Sequence, residues 1–158
     1  MKKVVVSALS TVIGAAVGAV VTGKEAQKTV NKTQKMSDKH LALFLMMNRW
    51  VEVKQDGKNL INYFHEKGYT SIAIYGMSYA GERLLYELKG SDIEVKCGID
   101  QKADEIYTEV DMITPDDEIP QVDAVIVTSI YFFDEIKEKL EGVVDSPVIS
   151  LEDVLYEV

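Results

Sequence analysis

One cysteine, Cys97, and two histidines, His40 and His65, stand in the 158 residues. A single thiol excludes an intramolecular disulfide framework and a multi-cysteine metal site, and it fits a reducing compartment. Cys97 falls inside an expected strand and reads as a small buried hydrophobe. Each histidine falls on an expected helix; a lone imidazole there is a surface or packing residue. Acids are scarce at one end of the chain. Residues 1–35 carry six lysines and one glutamate, Glu25, for a net charge of +5. Bases are scarce in the remainder, where 11 stand against 25 acids for a net charge of −14. That acidic part repels phosphodiester backbones, which excludes nucleic acid as an expected partner. The asymmetry marks two regions with different surroundings.

Charge is absent altogether from Val4 to Gly23. Twenty helical residues span about 30 Å, the hydrocarbon thickness of a bilayer, so a membrane helix is expected here. Ser10, Gly14, Gly18 and Thr22 recur every four residues, a spacing that lets two such helices approach closely and fits a homodimer. Lys24, Lys28, Lys32 and Lys35 outnumber Lys2 and Lys3, which places the following domain on the cytoplasmic side of the cell membrane. A lysine-rich tail beside an apolar run also suits an anionic membrane surface. Two alternatives stay open: a cleaved signal peptide, although no A-x-A-like site follows, and a helix that only rests on a membrane. Residues 7–35 resemble in composition the glycine- and alanine-rich, lysine-tailed segment of YtxH-type bacterial envelope proteins.

Three regions follow from the pattern: 1–35, the apolar helix and its lysine-rich stalk; 36–68, a helical linker or cover; and 69–158, an α/β domain. Ser37 is an expected N-cap ahead of Leu41–Met47 and Trp50-Val51. Gly57 is expected to break that helix, and Lys67-Gly68 to close a short amphipathic one. Strands are then expected at 71–75, 94–99, 110–113, 124–128 and 147–150, with helices at 79–88, 132–140 and 151–155. Ala124-Val-Ile-Val-Thr128 is continuously apolar until its last residue, as suits a central parallel strand. The alternation predicts a small Rossmann-like parallel sheet of about five strands with helices on both faces.

The candidate site is the turn after the first strand, Gly76-Met77-Ser78-Tyr79-Ala80-Gly81. A phosphate-binding turn reads G-x-G-x-x-G: the first glycine turns, the second admits phosphate, the third lets helix and strand pack. Gly76 and Gly81 fill the first and third places, and Ser78 stands at the second with a hydroxyl that can donate to phosphate. The helix N-terminus adds free N–H groups and a positive dipole end. Asp100, at the end of the second strand, is placed to accept from ribose hydroxyls, favouring NAD over NADP. Thr128 and Ser129 follow the fourth strand and are expected on the same edge. Arg83 and the acidic run Asp116-Asp117-Glu118 read as a helix-surface charge and a solvated turn, with no recurring metal-ligand spacing.

Ile74–Leu84, Glu94–Asp100, Asp123–Thr128 and Pro147–Val154 resemble the CoA-binding-like, NAD(P)-binding Rossmann domain of bacterial capsule and O-antigen polysaccharide biosynthesis proteins. The resemblance spans residues 70–156. It implies a NAD or nucleotide-sugar ligand and a polysaccharide-biosynthesis enzyme as partner. The reductase-type Tyr-x-x-x-Lys pair is missing, since Glu135 stands four residues after Tyr131. Three functions follow as expectations: a membrane-anchored nucleotide or nucleotide-sugar binding module; a non-catalytic scaffold with an empty fold; or an oxidoreductase or sugar-nucleotide-modifying subunit completed by a partner chain.

Overall fold

Ser71–Tyr75 (β1) is buried at its last four positions and lies at the centre of the sheet in a computed structural model of the chain. The structure describes the backbone of residues 2–158 and the side chains of residues 25–158. The expected membrane helix, Val4–Gly23, falls outside the residues whose side chains are described. Among the described residues no helix is long and apolar enough to cross a membrane.

β1 is flanked by Glu94–Ile99 (β2) and Ala124–Val127 (β4); Met112–Ile113 (β3) and Val148–Ser150 (β5) complete the order β3-β2-β1-β4-β5, with every pair parallel. The strand order reverses between β1 and β4, leaving a crevice at their carboxyl ends. Tyr75 pairs in register with Ile99 on one side and Val127 on the other, so the residues that leave these three strands emerge side by side.

The described residues form five α-helices: α1 (Lys2–Gln55), α2 (Leu60–Lys67), α3 (Tyr79–Leu88), α4 (Phe133–Leu140) and α5 (Leu151–Glu157). Strand alternation sends Ile72, Ile74, Ala124 and Ile126 into a core with α1, α2, α3 and α5. Ala73, Tyr75, Cys97, Val125 and Val127 face the other way, toward Ile136 and Leu140 of α4. That second face is thinly covered, because the β3–β4 connection carries no helix and contributes Ile119 and Val122 instead.

The chain divides into two compact units, Met1–Leu41 and Ala42–Val158. In the first, polar side chains pair along the helix, with Val30, Met36 and Leu41 exposed among them: Gln27 Nε2 donates to Asn31 Oδ1 at 3.0 Å and Gln34 Nε2 to Asp38 Oδ1 at 2.8 Å. In the second, Met46, Trp50 and Val53 lie on one face of α1 and are buried, while Phe44, Leu45 and Val51 stay more than half exposed. Ser37 caps nothing; α1 runs through it unbroken and ends at Gln55, before Gly57 at φ 73°. Helix propagation across 36–40 outweighs a capping serine whose downstream residues are already helical. Gly68 closes α2 at φ 74°, as the Lys67-Gly68 pair predicts. Ile130–Phe132 forms a 3₁₀ turn, so α4 itself starts at Phe133, one residue after the expected helix start at Phe132.

Candidate functional site

Gly76 leaves β1 at φ 97°, a backbone region that disfavours side chains. Its N–H donates to Ile99 O at 2.8 Å, tying the turn to the end of β2. A Cβ on Gly76 would lie 2.9 Å from Thr128 Oγ1 and still closer to Ser129 Oγ. Thr128, buried, donates its hydroxyl to Gly76 O, and its N–H to Tyr75 O at 2.9 Å. Gly81 is equally constrained: a Cβ there would run into Gly76 O and lie 3.2 Å from Gly76 C. The first and third glycines of the turn are thus packed against each other, so that α3 starts directly over β1.

Asp100 reaches across to this turn. Its Oδ2 accepts from Met77 N–H at 3.0 Å and its Oδ1 from Lys102 N–H at 3.0 Å. One carboxylate therefore organises both the β1 and β2 exits. Each oxygen keeps one lone pair for a further donor. Met77 does not face the crevice: it is 2% exposed and packs where Gly98 omits a side chain, within 2.7 Å of a Cβ placed there. Ala80 is buried too. Ser78 and Tyr79 face solvent. Ser78 is the N-cap of α3, but its hydroxyl makes no capping bond, and Tyr79 is 76% exposed. Of the nine residues singled out from the sequence, Gly76, Ser78, Tyr79, Asp100, Thr128 and Ser129 converge on the exits of β1, β2 and β4 or the first turn of α3. Met77, Ala80 and Gly81 hold the turn from beneath.

The remaining candidates lie apart. Arg83 stands on the α3 surface, with its guanidinium 5.8 Å from the Tyr86 ring centroid. His65 Nε2 is 2.7 Å from Asp92 Oδ1, an exposed pair just ahead of the amino end of β2. Asp117 closes on Thr114, taking its N–H at 2.7 Å and its hydroxyl at 2.8 Å, so the acidic run is a turn. Burial, and then the charge of Asp111, pushes the Cys97 thiol up to about 11. Among the described residues no cluster of histidine, cysteine and carboxylate groups is placed to hold a metal ion.

Two polar constructions escaped sequence reasoning. Asp123 Oδ2, just before β4, accepts from the N–H of Thr70 and of Ser71, both at 2.8 Å, and from both hydroxyls. It clamps the start of β1 to the start of β4. The only signal for it is an acid and a Thr-Ser pair at matching offsets before two buried runs. The other is Glu87 on α3, which meets α1 and α2; nothing local marks it.

The model of one protein family, C2185-like, N-terminal, matches residues 68–146, half of the chain. The chain belongs to that family. The match begins at Gly68 and takes in β1 to β4 and α4, and so the whole constellation around Gly76. No curated protein and no solved structure matches the chain.

Proposed function

We propose that residues 69–158 of this C2185-like protein form a Rossmann-like nucleotide-binding module, with its ligand along the carboxyl edge at the β1/β4 reversal. The observation that supports this most is the meeting of Gly76, the start of α3 and Thr128-Ser129 at the topological switch point, where open α/β sheets take their ligands. Phosphates would lie over Ser78 and the first N–H groups of α3. Ribose hydroxyls would reach the lone pairs that Asp100 keeps. The ligand class is a nucleotide or nucleotide-sugar, NAD included. With no nucleophile and base paired at this edge among the described residues, the module binds rather than reacts. Its role is accessory to cell-envelope polysaccharide synthesis, with Val4–Gly23 as its membrane attachment.

The test is a thermal-shift screen of the full chain against NAD, NADP, coenzyme A and UDP- and dTDP-sugars, repeated with Ser78→Asp. Aspartate is as good an N-cap as serine, so the fold is kept while an anion occupies the phosphate position. A ligand at about 100 times its Kd stabilises by about 2.7 kcal/mol. A shift lost in Ser78→Asp supports the reading, and no shift with any nucleotide sinks it.

A second reading, a scaffold that pairs through its helices, is favoured by one observation. Val51 of α1 and Tyr86 of α3, 52% and 71% exposed, line an apolar groove beside Trp50. Sedimentation of the full chain and of Val51→Glu distinguishes it: only the scaffold reading requires a dimer that the glutamate dissociates.

A further inference from the structure

On the thinly covered face of the sheet, a cavity of about 550 Å³ opens between the β3–β4 connection and the end of α4. Tyr75, Gln101, Pro115, Asp116, Lys139 and Leu140 line it. Tyr75 is 8% exposed as a whole residue, but its hydroxyl has no hydrogen-bond partner among the described residues and is not sealed off from solvent: it opens into the cavity. Its ring is packed in the sheet's second core while its polar tip stays wet, so the hydroxyl is available to a ligand without breaking any bond of the fold. Burial, then the charges of Asp100 and Asp116, raise its pKa, so it stays a neutral donor.

The lining selects by charge and by shape. Asp116 and Lys139, both exposed, give the site one charge of each sign. The carboxylate opposes an anion and the ammonium opposes a cation; an ion pushed in against Tyr75 would also be desolvated without a dedicated counter-charge. An uncharged ligand with several donors and acceptors meets neither obstacle. It can satisfy the phenol, the Gln101 amide, Asp116 and Lys139 together, and lay apolar ring atoms on Pro115 and Leu140.

We propose that this cavity binds an uncharged polyhydroxylated ring, a sugar ring either free or carried by a nucleoside, with Tyr75 Oη bonding one hydroxyl and Gln101 and Asp116 sharing its neighbours. The phosphate reading is not needed for this: the site is on the other side of the β1 exit and uses none of the residues in the glycine turn. The two sites are nevertheless adjacent in sequence, since Tyr75 precedes Gly76 and Gln101 follows Asp100.

The full chain would be titrated with methyl glucoside and, separately, with uridine, with binding read from ligand-observed NMR. Tyr75→Phe and Gln101→Ala would be run beside it. Saturable binding of the glucoside identifies a free sugar, and of uridine alone a nucleoside. Tyr75→Phe is expected to weaken that binding about tenfold. Without ligand its melting temperature should hold or rise, because the lost hydroxyl had no partner in the fold. Gln101 is exposed, so Gln101→Ala gives the same test free of any effect on folding. Failure of both compounds to saturate overturns the proposal. So does binding that both variants leave unchanged, or a lower melting temperature for unliganded Tyr75→Phe.

Discussion

The indole N–H of Trp50 donates to Glu87 Oε2 at 2.7 Å, joining α1 to α3. The other oxygen of Glu87 accepts the Leu60 N–H at 2.8 Å and meets the Lys54 ammonium. Leu60 is the first residue of α2, so one carboxylate, 10% exposed, holds three helices and fills an N–H that the helix itself cannot. Arg49 Nε, on the same helix as Trp50, donates to Leu155 O at 3.1 Å and extends the attachment to α5. Glu87→Ala leaves the indole and the Leu60 N–H without acceptors and is expected to cost about 2–3 kcal/mol. Urea unfolding followed by the fluorescence of Trp50, the single tryptophan, reads this directly.

Gly76→Ala and Gly81→Ala should both destabilise, for different reasons. At Gly76 a side chain meets a positive φ and the Thr128-Ser129 hydroxyls; at Gly81 it meets the carbonyl of Gly76. Each is expected to cost about 1–3 kcal/mol. Gly68 also has a positive φ but open space around its Cβ, so Gly68→Ala should cost only about 1 kcal/mol. Thermal denaturation of the three variants checks the order.

Asp100 has a structural task whether or not a ligand binds. Asp100→Ala should lower stability by about 1–2 kcal/mol through the Met77 and Lys102 N–H groups it orphans, and Asp100→Asn by less. Weakened nucleotide binding in Asp100→Ala is therefore ambiguous alone. The melting temperature of the unliganded variants separates the two effects.

Asp123 gives the acid limb of stability its shape. The N–H groups of Thr70 and Ser71, then their hydroxyls, lower its pKa from 3.8 to about 2. A pKa depressed by folding stabilises fully above the unfolded value and is lost as pH falls toward the folded one. Stability should thus decline between about pH 4 and pH 2. Asp92 beside His65 and Asp117 under Thr114, both also lowered, add to the same limb. Asp123→Asn should be less stable at neutral pH and show a shallower acid decline, measured as melting temperature against pH.

Cys97 should react with a disulfide reagent only as fast as the fold opens. It is 2% exposed, and burial holds its thiol near 11. Labelling in native buffer should be slow and should accelerate in Glu87→Ala. Immediate labelling at the rate of a free thiol would contradict the burial.

Much of the fold is local information. β1, α3 and β2 occupy the expected stretches 71–75, 79–88 and 94–99: the buried part of β1 is continuously apolar, the turn at φ 97° needs glycine, and β2 confines Glu94 and Lys96 to its exposed first half before a buried end. The short strands were less legible: β3 holds two residues where four are expected, since at an edge only the register with Gly98 and Ile99 decides pairing. The grouping of Gly76, Asp100 and Thr128 follows from strand order, and alternation suggests that order without fixing it.

What the sequence by itself determined is the succession of elements, the burial of their apolar runs and the identity of the turn residues. What only the tertiary structure decided is which groups meet: Asp100 with Met77, Glu87 with Trp50 and Leu60, Asp123 with Thr70 and Ser71, and Tyr75 with a cavity. These partners lie 23 to 53 residues apart. A hydrogen bond is set by distances of about 3 Å and by direction, and neither is encoded in the spacing along the chain.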